Sequence, residues 1–173
     1  MISQQLIISG VGGQGILFIT RLLAETAIAM GLPVLTSETH GMAQRGGIVI
    51  SHLKVGDFSS PLVRPGQADG LIALKPGNVP LHRPFLRPDG WIAANAGASD
   101  SLAEAATIDA DAIALRLGNP QAVNLIVLGR ALATGRLFCT IDELDRAIRR
   151  KLHAKPAVLE GALAALGAGS GAA

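Results

Sequence analysis

The sequence predicts a three-layer α/β domain with a Rossmann-like sheet of five or six strands, mostly parallel, one of them irregular or antiparallel. Two observations carry this. The first is the opening of the chain. Leu6-Ile7-Ile8-Ser9-Gly10 is a short apolar run closed by glycine, as in a buried strand. Beyond a glycine-rich loop, Ile16, Ile19, Leu22, Leu23, Ala27 and Met30 share one helical face, and Gly31 caps the helix end. Pro33-Val34-Leu35-Thr36 follows as a second strand. The order β-loop-α-β favours a parallel pair joined by a right-handed crossover. The second observation is the alternation from Ile48 to Val55. Ile48, Ile50, His52 and Lys54 face one way, and Val49, Ser51, Leu53 and Val55 the other. This is a strand near a sheet edge, and the one expected to be irregular or antiparallel.

The remaining elements follow in order. Ser37 to Gly47 has too little periodicity for core and reads as a long connection. Gly56-Asp57 marks a turn, and Phe58 to Pro65 an exposed loop. Leu71-Ile72-Ala73-Leu74 is a core strand. Pro76 to Pro88 is interrupted by prolines, with room for a helical turn over Val79 to Phe85. The Pro88-Asp89-Gly90 turn introduces the strand Trp91-Ile92-Ala93-Ala94. Thr107 to Ala110 is a short strand, followed by a short helix over 111–117. Gln121 to Thr134 is a helix with Pro120 beside its start. Thr140 followed three residues later by Glu143 is a capping box opening a basic helix to His153. Pro156 to Leu166 is the last helix, and the small, Gly-rich tail 167–173 is expected to be disordered. No internal repeat or linker divides the chain, so residues 1–173 are expected to form one domain.

Composition narrows the function. Hydrophobic residues make up 49% of the 173 and charged residues 16%, leaving less polar surface than a free monomer carries and pointing to a permanent partner. Four Phe, one Trp and no Tyr leave no stacking platforms for single-stranded nucleic acid, and a net charge of +2 is too small for a general polyanion binder. Arg146, Arg149, Arg150, Lys151 and Lys155 read instead as a solvated or partner-facing helix surface. One cysteine, Cys139, excludes an internal disulfide or a cysteine-held cluster on this chain alone, and suits a reducing cytoplasm. The start lacks the basic residues of a signal peptide, and the apolar runs fall short of the ~20 residues a membrane span needs.

Two segments carry the chemistry. Gly10, Gly12 and Gly15 have the spacing G-x-G-x-x-G between a strand and a helix, with Gly13 and Gln14 between them. Glycines let the backbone turn tightly and approach a ligand, while the helix start offers N–H groups and a positive dipole end to an anion. The loop would then hold a phosphate or a dinucleotide, with Glu38 available for ribose hydroxyls, or it would simply pack helix on sheet; Gln14 would equally suit contact with a partner. The second segment gathers Ser37, Glu38, Thr39, His40, Gln44 and Arg45 within nine residues, ahead of Gly46 and Gly47. Arg45 can clamp a carboxylate or phosphate with two parallel hydrogen bonds, and His40 titrates near neutrality. Following the second strand, this segment is expected at the same sheet edge as the first loop. The alternatives are an internal Glu38–Arg45 pair, proton transfer by His40 or Glu38, and contact with a cofactor or partner. The four histidines lack metal-ligand spacing, and Ser51 and His52 point to opposite faces of one strand, so no triad or metal site is read here.

On these residues the chain resembles a known family. Gly10-Val11-Gly12-Gly13-Gln14-Gly15-Ile16, Ser37 to Gly47 with its phrase His40-Gly41-Met42-Ala43-Gln44-Arg45-Gly46-Gly47, and Ser51-His52 are similar to the gamma-type subunit of 2-oxoacid:ferredoxin oxidoreductases, in particular the small (beta) subunit of the indolepyruvate type. The likeness continues through Ser60-Pro61-Leu62, Ala68-Asp69-Gly70 and Asn124 to Gly129, over roughly residues 5 to 166. The resemblance implies a complex that decarboxylates a 2-oxoacid on thiamine diphosphate, passes two electrons through iron–sulfur clusters to ferredoxin, and releases an acyl-coenzyme A. The thiamine motif and cysteine clusters are absent here, so both cofactors are expected on a large (alpha) partner subunit, with this chain inactive alone. Coenzyme A at the subunit interface and a homodimer are further expectations. A stand-alone NAD(P)- or nucleotide-binding module is the alternative.

Overall fold

The computed structural model describes residues 2–40, 46–97, 100, 102 and 104–171. The apolar run after Ser3 forms β1 (Gln4–Val11), and the helical stripe forms α1 (Ile16–Ala29). Strands β2 (Val34–His40), β3 (Ile48–Val55) and β4 (Ala68–Ala73) follow. The proline-interrupted stretch makes two 3₁₀ turns, Pro76–Asn78 and Arg83–Phe85, flanking the one-turn helix α2 (Val79–His82). Next come β5 (Leu86–Asn95), β6 (Ala106–Ile108), α3 (Ala110–Arg116), a 3₁₀ turn at Pro120–Ala122, α4 (Val123–Ala133), α5 (Ile141–Leu152) and α6 (Pro156–Ser170).

The six strands lie in the order β2-β3-β1-β4-β5-β6. β1, β4, β5 and β6 are mutually parallel, and β3 runs antiparallel to both its neighbours. The expected antiparallel strand is therefore β3. One expectation needs correcting: β1 and β2 point the same way but do not pair, because β3 inserts between them. The segment expected as an irregular connection is also partly ordered, since β2 runs on through Ser37, Glu38 and Thr39 to His40, paired with β3. Polar side chains are no obstacle on an edge strand with one face toward water.

The two sheet faces are unequal. Leu6, Ile8, Leu53, Ile72 and Leu74 meet α1, α4, α5 and α6 in the main core. Ile7, Leu71, Ala73, Ile92 and Ala94 on the other face are covered, among the described residues, by Val63, Val79, Phe85, Leu86, Leu102 and Ala105. This third layer is thin, built among the described residues from the 56–67 loop, the short helical turns and the segment of Leu102 and Ala105. Each fully buried Leu or Ile in the main core stabilises by about 1.5–3 kcal/mol over exposure. The predicted capping box is present: Thr140 Oγ1 accepts from the Glu143 N–H at 3.4 Å, and the Glu143 carboxylate accepts from the Thr140 N–H at 2.7 Å. A 2.6 Å ion pair from Lys151 to Glu25 ties α5 to α1.

The expected disorder of 167–173 is corrected for its first residues, while Ala172 and Ala173 lie outside the described residues. Gly167 to Ser170 continue α6, and the glycines there are its means of attachment. A Cβ on Gly169 would stand 1.9 Å from the Ile126 carbonyl oxygen, and one on Gly129 2.3 Å from that of Leu166. Backbone packs on backbone where α4 crosses α6, which only glycine permits. Small residues that read as disorder are here the condition for close helix packing.

Candidate functional site

The connection leaving β1 carries α1 on the main-core face, while the one leaving β4 carries α2 on the opposite face. The carboxyl ends of β1 and β4 therefore border the switch point of the sheet, where open α/β folds bind ligands. The glycine-rich loop lies at this point. Gly13 (φ 93°) and Gly15 (φ 78°) both adopt left-handed backbone, and Gly15 caps α1 with no side-chain hydrogen bond. No acidic residue stands in the first turn of α1. A Cβ at Gly15 would also lie 2.2 Å from the Asn124 amide nitrogen, which donates to the Gly15 carbonyl at 3.3 Å. The third glycine thus both turns the chain and admits α4.

Gln14 occupies the crevice itself. Its Oε1 accepts from the Val11 N–H at 2.8 Å, and its Nε2 donates to the Leu74 carbonyl at 3.3 Å, bridging the ends of β1 and β4. The amide is engaged within the chain. Gly10 makes room for it, since a Cβ there would sit 2.7 Å from Oε1. The Asn95 amide donates to the same Leu74 carbonyl at 3.3 Å and to Asp111 at 2.7 Å, while its oxygen accepts from the Ala110 N–H at 2.9 Å. One side-chain amide from the loop and one from β5 thereby lace three parallel strands together at their carboxyl ends.

The two sequence motifs meet. The Gly12 N–H donates to the Gly47 carbonyl at 3.0 Å, Val11 pairs with Ile48, and Gly10 pairs with Val49. Gly10, Gly12, Gly13, Gln14, Gly15, Gly46 and Gly47 thus share one rim. His40 also pairs with Val49, which puts its backbone level with Gly10 on the edge strand. Glu38 pairs with Ser51 and Ser51 with Ile8, so Glu38 is exposed, two strands from β1 and below the loop. Two strand spacings amount to roughly 10 Å. A dinucleotide fold needs its ribose-binding acid on the strand beside β1, and the insertion of β3 removes Glu38 from that place. Gln44 and Arg45 lie outside the described residues.

Sequence reasoning missed a polar cluster beneath this rim. Asn78 Nδ2 donates to Ser9 Oγ at 3.0 Å and to the Gly10 carbonyl at 3.0 Å, and Ser9 Oγ is hydrogen-bonded to His82 Nδ1 at 2.9 Å. Ser9, Asn78 and His82 are buried. Burial lowers the His82 pKa, against a smaller opposing hydrogen bond from the Asn78 backbone. Burial also lowers that of His52, helped by the nearby charges of Lys54 and His82. His52 Nδ1 accepts from the Val63 N–H at 3.2 Å, which a neutral ring can do. The cluster staples the thin layer to β1, and Ser9, with no exposed surface, is no nucleophile. The only sequence signal for it was histidine among apolar neighbours. Among the described residues, no three His, Cys, Asp or Glu stand together as a metal site, and no helix is long and apolar enough to cross a membrane.

Comparison with known proteins gives this rim a context. The family model described as pyruvate ferredoxin/flavodoxin oxidoreductase matches residues 5–172. Indolepyruvate oxidoreductase subunit IorB of Archaeoglobus fulgidus is 32% identical, with 87% of this chain and 86% of that protein covered. The protein of the same name from Pyrococcus horikoshii is 28% identical, over 87% of each. The keto/oxoacid ferredoxin oxidoreductase gamma subunit of Geobacter sulfurreducens superposes with a TM-score of 0.77 at 22% identity, covering 96% of this chain and 95% of that one. The 2-oxoglutarate:ferredoxin oxidoreductase of Magnetococcus marinus, solved with 2-oxoglutarate, coenzyme A and succinyl-CoA, superposes with a TM-score of 0.81 at 18% identity. The match takes in 99% of this chain but only 31% of that one, so the present chain spans about a third of its length.

Proposed function

The chain belongs to the pyruvate ferredoxin/flavodoxin oxidoreductase family, and from that premise we propose that it is the non-cofactor-bearing small subunit of an indolepyruvate or other aryl pyruvate:ferredoxin oxidoreductase. Thiamine diphosphate and iron–sulfur clusters on a large partner subunit supply the decarboxylation and the electron path, ending in an acyl-coenzyme A, carbon dioxide and reduced ferredoxin. One cysteine, buried and with its thiol pKa pushed up to about 12 by burial, suits a chain that holds no cluster of its own.

One observation carries the role of this chain: the glycine-rich loop and Gly46-Gly47 are joined through Gly12 and Gly47 into one rim at the carboxyl end of the sheet. Its glycines leave backbone open to close approach, and the start of α1, which has no side-chain cap, favours an anion. The loop and the segment carrying Gln44 and Arg45 meet the large subunit there, with Arg45 as anion clamp and coenzyme A phosphates the anion at the interface. Ferredoxin is reached through the complex, in the cytoplasm.

The stand-alone nucleotide-binding reading is disfavoured by Gln14 filling the crevice and by the distance of Glu38 from the loop. Two measurements decide. Affinity purification of the tagged chain from its host is expected to bring down a large polypeptide carrying iron–sulfur absorbance. Melting of the pure chain is expected to be unmoved by NAD(P), since only a ligand that binds the folded state raises the midpoint. A rise with NAD(P) and no such partner would overturn the proposal.

A further inference from the structure

At the other end of β1 from the loop, on the thin-layer side of the sheet, Lys54 pairs across the strands with Gln5. It is only 7% exposed. Among the described residues its ammonium has no hydrogen-bond or ion-pair partner. The ammonium stands over the Phe58 ring, with the nitrogen 5.0 Å from the centroid. Lys54 lines an open cleft of about 420 Å³ with Gln5, Phe58, Arg64, Pro65 and Gln67. That volume falls within the range of about 300–1,000 Å³ typical of small-ligand sites.

The cleft is electrostatically incomplete. The stem of Lys54 is buried while its ammonium reaches the open cleft, where it faces a second cation. Desolvation, and to a smaller extent the like charge of Arg64, lower the Lys54 pKa. The nearby carboxylate, Asp69, is engaged elsewhere: it accepts from the Gln5 N–H at 2.6 Å and pairs with Arg87 at 2.5 Å. Two cations and two side-chain amides therefore border one cleft that no acid among the described residues lines. We propose that the Lys54–Arg64 cleft is an oxyanion-binding site, taking a carboxylate or phosphate group whose oxygens lie between the ammonium and the guanidinium, with the Gln5 and Gln67 amides as further donors. The group belongs either to a small molecule or to an acidic side chain of a partner subunit; the chemistry at the cleft is the same.

The test uses the full chain, with inorganic phosphate and acetate as probes against chloride at equal ionic strength. Once the site is filled, each tenfold rise in a bound anion adds about 3–5 °C to the melting temperature of a chain this size. Phosphate also stabilises proteins generally by exclusion from their surfaces, so the reading is the difference between wild type and Lys54→Met or Arg64→Gln. The wild type is expected to gain more from phosphate or acetate than either variant, and Lys54→Met to be no less stable than wild type in chloride. Arg64 is exposed, so Arg64→Gln keeps the comparison alive should Lys54→Met fail to fold. Repeating the titration on the assembled complex separates the sources. A partner carboxylate would abolish the phosphate effect on assembly and make Lys54→Met assemble at least tenfold more weakly. A small oxyanion would leave both unchanged. Equal anion responses in wild type and both variants would overturn the site.

Discussion

Replacing Gln14 by Leu separates two roles the sequence could not. The side chain links the Val11 N–H to the Leu74 carbonyl, and the substitution breaks both bonds while keeping similar bulk. Leu74 retains the Asn95 amide as a donor, so the group left without its partner is the half-buried Val11 N–H. Stranding one such donor costs about 1–3 kcal/mol, taken here as ~2. At about 2–4 °C per kcal/mol for a chain of this size, the melting temperature falls by about 4–8 °C. Urea denaturation should show a lower midpoint with an unchanged slope, since the folded state stays as compact. Affinity for the large subunit, measured below the melting range, should change less than threefold, because the amide faces inward. An unshifted melting temperature with weakened assembly would refute the reasoning and make Gln14 a partner contact.

Other substitutions probe the packing and the buried histidines. Gly169→Leu forces a side chain against the Ile126 carbonyl and should cost at least ~3 kcal/mol in denaturant titrations, while Gly171→Ala, with open space at its Cβ, should cost about 1 kcal/mol from its left-handed backbone. His52 and His82 have folded-state pKa values below the ordinary 6.5, so below that pH the unfolded chain binds more protons than the folded one. Stability should be full above pH 6.5, fall as pH drops toward the folded-state values, and level off below them. Each histidine contributes a slope of up to ~1.4 kcal/mol per pH unit, so His52→Gln/His82→Gln should flatten the profile of midpoint against pH between 7 and 5. The Cys139 thiol, buried and pushed up to about 12, should react with maleimide at pH 8 only as fast as the chain opens, and promptly in urea.

Much of the fold is local pattern, and local pattern is legible. The stripe from Ile16 to Met30, the alternation over Ile48 to Val55 and the Thr140–Glu143 box each dictate an element from their own residues. Pairing is not local. Nothing in Val34 to Thr36 or in Ile48 to Val55 says that β3 will enter beside β1, and that insertion is what carries Glu38 away from the loop. The site divides in the same way. The glycines at 10, 12, 13 and 15 announce their turn, but the purpose of Gln14 depends on the Leu74 carbonyl, sixty residues away. The cluster of Ser9, Asn78 and His82 was illegible because its members come from a strand and from a proline-interrupted stretch without periodicity. The tail misled because composition alone cannot distinguish glycines that loosen a chain from glycines that let two helices touch.

The proposed role is that of a chain that completes an enzyme whose redox machinery sits on its partner. The most direct measurement is reduction of ferredoxin by an aryl pyruvate and coenzyme A, followed for the purified chain, for the large subunit, and for the two mixed. Turnover only in the mixture, saturating as this chain approaches stoichiometry with its partner, is the expected result. Turnover by this chain alone, or by the large subunit at a rate the mixture does not exceed, would contradict it.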